Sequence, residues 1–231
     1  MLKTFLRQIV PQEMRRRLSA FIHERGQAGR AKRESQIPKV LLGAEHAKNC
    51  QLLLNRSDLL GRLKKGGIVA EIGVDKGHFS DLIIEITEPA LLHLVDDWDS
   101  ERYHAGLAEV VASKFRDLIQ DNRIQIHRKL SIDAAQDFEE DYFDWIYIDT
   151  DHSYETTRDE LIKYAPKVKK DGLITGHDYS MGNWVKSHRY GVIEAVHEFC
   201  VNYGWELIYI TLEPTENQSF AIRRFQQGSR A

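Results

Sequence analysis

Residues 68–77 read IVAEIGVDKG, a short apolar run that leads directly into a turn with two glycines. Short apolar runs of this kind are typical of strands that are buried on both faces of a parallel sheet. After the turn, Phe79, Leu82, Ile83 and Ile86 recur at helical spacing. The stretch therefore predicts a strand, a glycine turn and a helix in immediate succession, which is the repeating unit of an α/β fold.

The same alternation continues along the chain. Further strand-length runs lie at 91–95, 124–127, 145–148 and 172–175, and helical patterns lie at 50–63, 105–119, 161–168 and 192–203. Two consecutive runs at 205–212 and 219–224 are separated only by the turn-rich segment EPTEN, which predicts an antiparallel hairpin. We therefore predict an α/β fold with a doubly wound, mostly parallel sheet that ends in this hairpin.

The composition is that of an ordinary globular protein. The chain has 231 residues, of which 42% are hydrophobic and 29% charged, so it fits one domain with an appendage and excludes fibrous and wholly disordered classes. No run approaches the roughly 20 apolar residues that a transmembrane helix needs. Cys50 and Cys200 are too few for a disulfide framework and have no C-x-x-C spacing, which favours a reducing compartment such as the cytoplasm.

The charge is unevenly distributed along the chain. Residues 1–39 carry ten Lys or Arg and three Glu, giving +7, so the remaining residues carry −10 of the net charge of −3. Apolar residues recur at helical spacing on both sides of Pro11, with basic residues such as Arg15, Arg16 and Arg17 on the other side. We therefore predict a basic amphipathic helical arm with a linker in residues 1–39, followed by the main domain in residues 40–231.

Three partners of the arm stay open. Its apolar stripe would pack on the main domain or on a second subunit, as in a homo-oligomer. Alternatively, residues 1–25 would lie on an anionic membrane surface, because basic and apolar faces together suit a layer of lipid headgroups. Nucleic acid is not expected as a partner, since the basic run has no stacking platform of its own.

The glycine turn lies where an open α/β sheet binds ligands, beyond the carboxyl end of a strand. Gly73 and Gly77 let a ligand approach the backbone, but their G-x-x-x-G spacing lacks the middle glycine of the fingerprint for NAD and FAD. Asp96 and Asp97 follow the second strand, 23 and 24 residues beyond Gly73, close to the offset of about 20 at which a carboxylate meets a ribose. We predict a nucleotide-like ligand, with Asp96 as the preferred ribose acceptor and Ser131 on the adenine side.

Acids and histidines follow the fourth and fifth predicted strands, at 145–148 and 172–175. Asp149, Asp151 and His152 come after the fourth strand, and His177 and Asp178 come after the fifth. Because adjacent parallel strands end side by side, we expect these side chains to meet in one cleft. Clustered carboxylates persist most readily around a cation or a shared proton, although Asp and Ser are also favoured helix N-caps. The pattern leaves a metal site, a proton-handling site and a set of caps open.

These motifs carry a resemblance to a known family. Residues 71–77 supply E-x-G-x-x-x-G, residues 148–154 read IDTDHSY, and residues 170–174 read KDGLI before Asp178 and Tyr179. From about Gly66 to Arg224 the chain resembles class I S-adenosylmethionine-dependent methyltransferases, most closely methyltransferase family 24. The resemblance implies a Rossmann-like, seven-stranded sheet whose last strand is antiparallel, and S-adenosylmethionine as the cofactor.

The resemblance also implies roles for single residues. The cofactor-binding positions are then Glu71, Gly73, Asp75, Gly77, Asp96, Asp97, Ser131 and Asp149. Relatives that methylate sugar hydroxyls are similar in using a divalent metal ion, Mg or Mn, and the positions that match its ligands are Asp149 and Asp178. His177 stands where some relatives have another carboxylate, which is a departure, because magnesium prefers oxygen ligands and an imidazole favours other metals such as manganese.

The function predicted from this resemblance is transfer of a methyl group to an oxygen. The acceptor would be a hydroxyl on a sugar, a glycolipid or another small molecule. The predicted catalytic residues are His152, Asp149 and Asp178, and His152 is the preferred general base because imidazole side chains titrate near neutral pH.

The sequence also indicates a segment that would contact the acceptor, and it leaves two other functions to be considered. The segment 180–190 contains Trp184, Lys186 and Arg189, which would contact the acceptor. A non-catalytic scaffold that binds the cofactor and is recruited through its basic arm is the main alternative function. A nicotinamide-dependent oxidoreductase is disfavoured by the missing middle glycine.

Overall fold

The computed structural model of the chain describes residues 34–99, 105–183 and 188–226, together with residues 14, 29, 31 and 32. The chain divides into two compact units, residues 1–38 and residues 39–231. In the first unit Met14 is helical, whereas the rest of the predicted arm helices, the run from Arg15 to Arg17 and the rest of the expected membrane contact of residues 1–25 lie outside the described residues.

The polar, charged and glycine-containing composition of residues 26–36 predicts a loop or linker, and this prediction is wrong for most of the residues that the structure describes there. Gly29, Ala31, Lys32 and Glu34 are helical, and the Ser35 amide donates to the Ala31 carbonyl at 2.9 Å. The reason is intrinsic propensity, because Ala, Lys, Arg and Glu are all strong helix formers despite their polarity.

Eight strands form the main sheet of the second unit. They are β1 (Gln51–Leu53), β2 (Ile68–Ile72), β3 (Leu91–Asp96), β4 (Ile124–Arg128), β5 (Phe143–Ile148), β6 (Val168–Gly176), β9 (Trp205–Thr211) and β10 (Phe220–Arg224); β7 (Gly182–Asn183) and β8 (His188–Arg189) form a separate short pair. The order across the sheet is β1-β9-β10-β6-β5-β2-β3-β4. Only β10 is antiparallel to its neighbours in this sheet. The predicted α/β sheet with a terminal antiparallel hairpin is confirmed, and β1 adds an eighth strand.

Helices connect the strands and cover the sheet. They are α1 (Arg56–Leu60), α2 (His78–Thr87), α3 (Ala105–Lys114), α4 (Arg116–Gln120), α5 (Ser131–Ala134), α6 (Tyr154–Tyr164) and α7 (Val192–Tyr203). None of these described helices is long and apolar enough to cross a bilayer.

The helix predicted at 50–63 is wrong over its first part. Residues 51–53 form β1, which pairs in parallel with β9, and only Arg56–Leu60 is helical. Leu53 is buried while Leu52 and Leu54 are exposed, which is the alternation of a strand rather than of a helix. Asn55 then begins α1, because its side chain accepts a hydrogen bond from the Asp58 amide at 2.9 Å.

Three further boundaries differ from the prediction. The helix predicted at 105–119 is interrupted at Phe115, whose backbone leaves the helical region while its ring is buried in the core. The helix predicted at 161–168 begins earlier, because Ser153 caps α6, and Val168 instead begins β6. The loop expected around Ser131 contains the short helix α5.

The register of the parallel strands determines where the loop residues meet. Ile72 of β2 pairs with Val95 of β3 and with Ile148 of β5, and Ile148 pairs with Gly176 of β6. The residues that follow these positions therefore lie along one edge of the sheet. This edge carries the glycine turn and the acids and histidines that the sequence singles out.

Candidate active site

Three residues of the glycine turn have positive φ angles, which favour glycine. Gly73, Asp75 and Gly77 have φ angles of 90°, 50° and 69°. A Cβ atom on Gly73 would lie 2.0 Å from the backbone oxygen of Asp149, so the turn runs directly against the end of β5. Only glycine allows both this approach and this φ angle without strain.

Asp96 holds the glycine turn in place. Its Oδ2 accepts hydrogen bonds from the amides of Val74 and Asp75 at 2.8 and 3.0 Å, and its Oδ1 accepts from the Trp98 amide at 2.9 Å. The fully buried indole of Trp98 donates to the Asp75 carbonyl at 2.9 Å, which ties the same turn a second time. The Asp96 carboxylate therefore fixes the backbone of the glycine turn. Contact of Asp96 or Asp97 with a ribose stays a prediction.

Glu71 is a buried acid directly before the turn. It is 1% exposed, and the Ser80 hydroxyl donates a hydrogen bond to its Oε2. Burial, with smaller contributions from the charges of Asp149 and Asp96, raises the pKa of Glu71 to about 8 from an ordinary value of 4.5. The side chain is therefore protonated at neutral pH, which keeps one negative charge out of an acid-rich edge.

This shift makes a prediction about stability and pH. The folded state keeps a proton that the unfolded chain releases above pH 4.5, so the contribution to stability is full at low pH and is lost as the pH rises through about 8. The neutral isostere Glu71→Gln should raise the melting temperature relative to wild type, by an amount that grows from about pH 5 to about pH 8. Thermal melts across this range test it against Glu85→Gln at an exposed position. A gain that does not change with pH would contradict the assignment.

Three side chains at the same edge form a compact group of ligand atoms. Asp149, His152 and Asp178 each offer one such atom, and these atoms lie within 4.8 Å of one another. His152 Nε2 is 3.0 Å from Asp178 Oδ2, and His152 Nδ1 is 3.9 Å from Asp149 Oδ1. Non-glycine residues rarely have positive φ angles, yet His152 and Asp178 have φ angles of 63° and 56°. Such backbone strain is found most often at functional sites.

His177 lies behind this group. Its Nδ1 is 3.4 Å from Asp178 Oδ1 and 3.7 Å from Asp149 Oδ1, and its buried Nε2 has no hydrogen-bond partner among the described residues. Burial disfavours its charged form, but the hydrogen bond to Asp178 and the charge of Asp149 raise the pKa of His177 above its ordinary value. The structure therefore brings Asp149, His177 and Asp178 together, as predicted. The more compact group of ligand atoms contains His152 instead of His177.

The two carboxylates of the group are electrostatically different. Burial raises the pKa of Asp149, and the charge of Asp178 adds to this effect. Burial also acts on Asp178, but hydrogen bonds from His177 and Asn217 and the charge of His152 hold the pKa of Asp178 below its usual value. Asn217 donates to Asp178 Oδ1 at 2.5 Å. Asp178 is therefore the permanently ionised partner of His152.

Two site residues lie outside the motifs and were missed by sequence reasoning. Arg56 lies 3.9 Å from Asp149, and Asn217 bonds to Asp178. Neither stands in an apolar pattern: Arg56 is the first residue of α1, and Asn217 lies in the loop that joins β9 to β10. The turn-rich composition of EPTEN was the only signal near Asn217.

Other predicted residues have different surroundings. Asp151 accepts bonds from the Ser153 amide and the Thr156 hydroxyl, so it belongs to the cap of α6. The Ser131 carbonyl accepts a bond from Tyr164 at 2.8 Å. Arg189 pairs with Glu194 of α7, whereas Trp184 and Lys186 lie outside the described residues.

Part of the chain that includes this edge matches a known protein family. Residues 70–179 match the model of methyltransferase family 24, which is described as a methyltransferase domain. The match spans the glycine turn and ends just after Asp178. Residues 70–179 are therefore a methyltransferase domain of this family. No curated protein sequence matches this chain.

Solved structures share the fold of this methyltransferase at low sequence identity. A putative rRNA methylase from Clostridium thermocellum has a TM-score of 0.57 at 15% identity, over 75% of this chain and 95% of the other. The geranyl diphosphate C-methyltransferase from Streptomyces coelicolor A3(2), in complex with Mg²⁺, geranyl diphosphate and S-adenosyl-L-homocysteine, has a TM-score of 0.56 at 10% identity, over 74% and 78%. The pyocyanin biosynthetic protein PhzM has a TM-score of 0.54 at 13% identity, over 70% of this chain and about half (51%) of that protein.

Proposed function

We propose that this methyltransferase transfers a methyl group to a hydroxyl oxygen of a small-molecule acceptor such as a sugar or a glycolipid. The observation that carries the proposal is the contact of 3.0 Å between His152 Nε2 and Asp178 Oδ2 at the edge that holds the glycine turn. A paired histidine and carboxylate suit an acceptor that must lose a proton, and a hydroxyl is such an acceptor.

The donor set at this edge fits S-adenosylmethionine. The cofactor is a sulfonium cation with an amino-acid end and a nucleoside end, and it supplies an activated methyl group. The acids Asp149 and Asp178 suit its net positive charge, while the protonated Glu71 limits repulsion among the acids. Gly73 and Gly77 let the turn pack against the end of β5 and the Phe115 ring, which fixes its backbone beside these acids.

The chain's own residues then handle one proton. Ionised Asp178 only accepts hydrogen bonds, so His152 carries its hydrogen on Nε2 and its lone pair on Nδ1. Asp178 is in turn held by Asn217 and His177, which orient the imidazole through it. Nδ1 of His152 would take the proton that the acceptor hydroxyl loses, and alignment of the acceptor with the methyl group that the bound cofactor supplies would provide most of the rate.

A divalent metal ion fits the same residues. Asp149, Asp178 and His152 would hold it, and a set of two carboxylates and one imidazole suits manganese better than magnesium. Such an ion would take His152 as a ligand and would itself lower the pKa of the acceptor hydroxyl, so it would replace His152 as the activating group.

The experiment that tests this proposal follows the methyl group. Protein is incubated with methyl-tritiated S-adenosylmethionine and with small-molecule, RNA or protein fractions of a cell extract, with and without Mn²⁺. We expect label in the small-molecule fraction as an alkali-stable methyl ether, and at least about 100-fold less with Asp178→Asn. Label in RNA or protein would overturn the assignment of the acceptor. Cofactor binding without transfer to any fraction would favour a non-catalytic scaffold.

A further inference from the structure

Arg56 is a cation at the sheet edge that carries the glycine turn, and it lies outside the residues that match the family model. It is the first residue of α1, directly after the cap Asn55, whereas the matched region begins at residue 70. Its guanidinium lies 4.9 Å from the centroid of the Phe79 ring, two residues beyond Gly77. Its side chain is 19% exposed, so it is largely withdrawn from water. A desolvated guanidinium stacked on a ring beside the glycine turn has little conformational freedom to lose on binding.

Apart from the Phe79 ring and the hydroxyl of the buried Tyr147, the partners of Arg56 are acids from other elements. The guanidinium forms an ion pair with Glu216, lies 3.8 Å from Glu213, and lies 3.9 Å from Asp149 Oδ2. The backbone amide of Arg56 also donates to Glu213 at 2.5 Å. Arg56 therefore stands between the β9–β10 turn and the end of β5, at the outer limit of an ion pair with Asp149.

The cofactor has a matching pair of charges. Its methionine end carries a carboxylate and an ammonium group on one carbon atom. In an edge dominated by acids, a carboxylate needs a cation nearby, and an arginine supplies two parallel donors that fit it. Lys114 also reaches the glycine turn, but it bonds to the Gly77 carbonyl at 2.7 Å and pairs with Asp81. Arg56 and Asp149 are the neighbouring opposite charges that suit the two groups.

We propose that Arg56 binds the carboxylate of the methionine end of S-adenosylmethionine, beside Asp149 for the ammonium group. The inference rests on the proposed function only in requiring that this edge binds the cofactor. It adds a specificity residue that lies outside the family motifs and selects cofactors with an intact amino-acid end.

Two ligands separate this role from a structural one. S-adenosylhomocysteine has the amino-acid end, whereas 5′-methylthioadenosine has the same nucleoside and sulfur without it. Calorimetric titrations of both ligands are made into wild type, Arg56→Gln and the control Arg62→Gln at an exposed arginine. With Arg56→Gln we expect about 10- to 100-fold weaker binding of S-adenosylhomocysteine and less than about 2-fold change for 5′-methylthioadenosine. Arg62→Gln should change neither.

Other results of these binding measurements contradict the proposal. Unchanged binding of S-adenosylhomocysteine by Arg56→Gln would overturn it, as would an equal loss for both ligands, which would make Arg56 a structural link to the β9–β10 turn. If Arg56→Gln does not fold, Arg56→Lys keeps the charge without the two-donor geometry, and a loss confined to S-adenosylhomocysteine is again expected. Wild-type protein that binds neither ligand would overturn cofactor binding itself, whereas selective loss without methyl transfer would overturn only the proposed reaction.

Discussion

Gly73→Ala is expected to lower the free energy of unfolding by about 2–5 kcal/mol, because a strained backbone and an overpacked contact add at one position. The φ angle of 90° disfavours any residue with a Cβ atom. The added atom would also lie 2.0 Å from the Asp149 oxygen, which belongs to the backbone and cannot rotate away. Either the turn or the end of β5 has to move, and binding of S-adenosylhomocysteine should be lost with it.

Urea titrations measure this effect, and the chain offers a matched control. Gly66 also has a positive φ angle, of 66°, but a Cβ atom there would meet nothing within 4 Å. Gly66→Ala therefore isolates the backbone cost, which should be about 1–2 kcal/mol, and should leave cofactor binding intact. If Gly73→Ala were no more destabilising than Gly66→Ala, the close approach between the turn and β5 would be wrong.

His152→Ala is expected to slow methyl transfer by about 10²- to 10⁴-fold, because the acceptor hydroxyl then loses its base. Binding of S-adenosylhomocysteine should stay within about 2-fold of wild type, since the base acts on the acceptor rather than on the nucleoside. Asp178→Asn should cause a loss of similar size, because the amide no longer fixes the imidazole through the contact of 3.0 Å.

Single-turnover rates with a labelled acceptor fraction measure this second effect. His78→Ala, at an exposed histidine that begins α2, is the control and should transfer at the wild-type rate. Unaltered rates in both His152→Ala and Asp178→Asn would contradict the assignment of the base. A loss confined to His177→Ala would assign the proton to the histidine behind the group instead.

The sheet was predictable from the sequence because its strands are encoded locally. Runs such as IVAEI and WIYI are too short and too apolar for surface helices, and each is followed by the turn or acid that ends the strand. The leucines at 52–54 were wrongly assigned to a helix, because a run of three leucines fits both the helical and the strand periodicity. Only the pairing with β9 shows that this stretch is a strand. The interruption at Phe115 likewise depends on the core that its ring enters.

The candidate site was predictable only where it lies on strand ends. Asp149, His152 and Asp178 follow β5 and β6 directly, so parallel topology alone brings them together. Arg56 at the start of α1 and Asn217 in the β9–β10 loop are separated from them by long stretches of chain, and a single sequence has no periodic signal for such distant contacts. The hydrogen bonds that Asp96 accepts from the Val74 and Asp75 amides were also not predictable, because they depend on the shape of the turn.

The most direct measurement is a calorimetric titration of S-adenosylhomocysteine into cofactor-free, folded wild-type protein. The structure predicts binding at one site with micromolar affinity, through the edge that carries Gly73, Asp149 and Arg56. Absence of binding by protein whose folded state is verified by a cooperative melt would contradict the central claim. The acids and histidines at this edge would then have to serve a metal or a structural role alone.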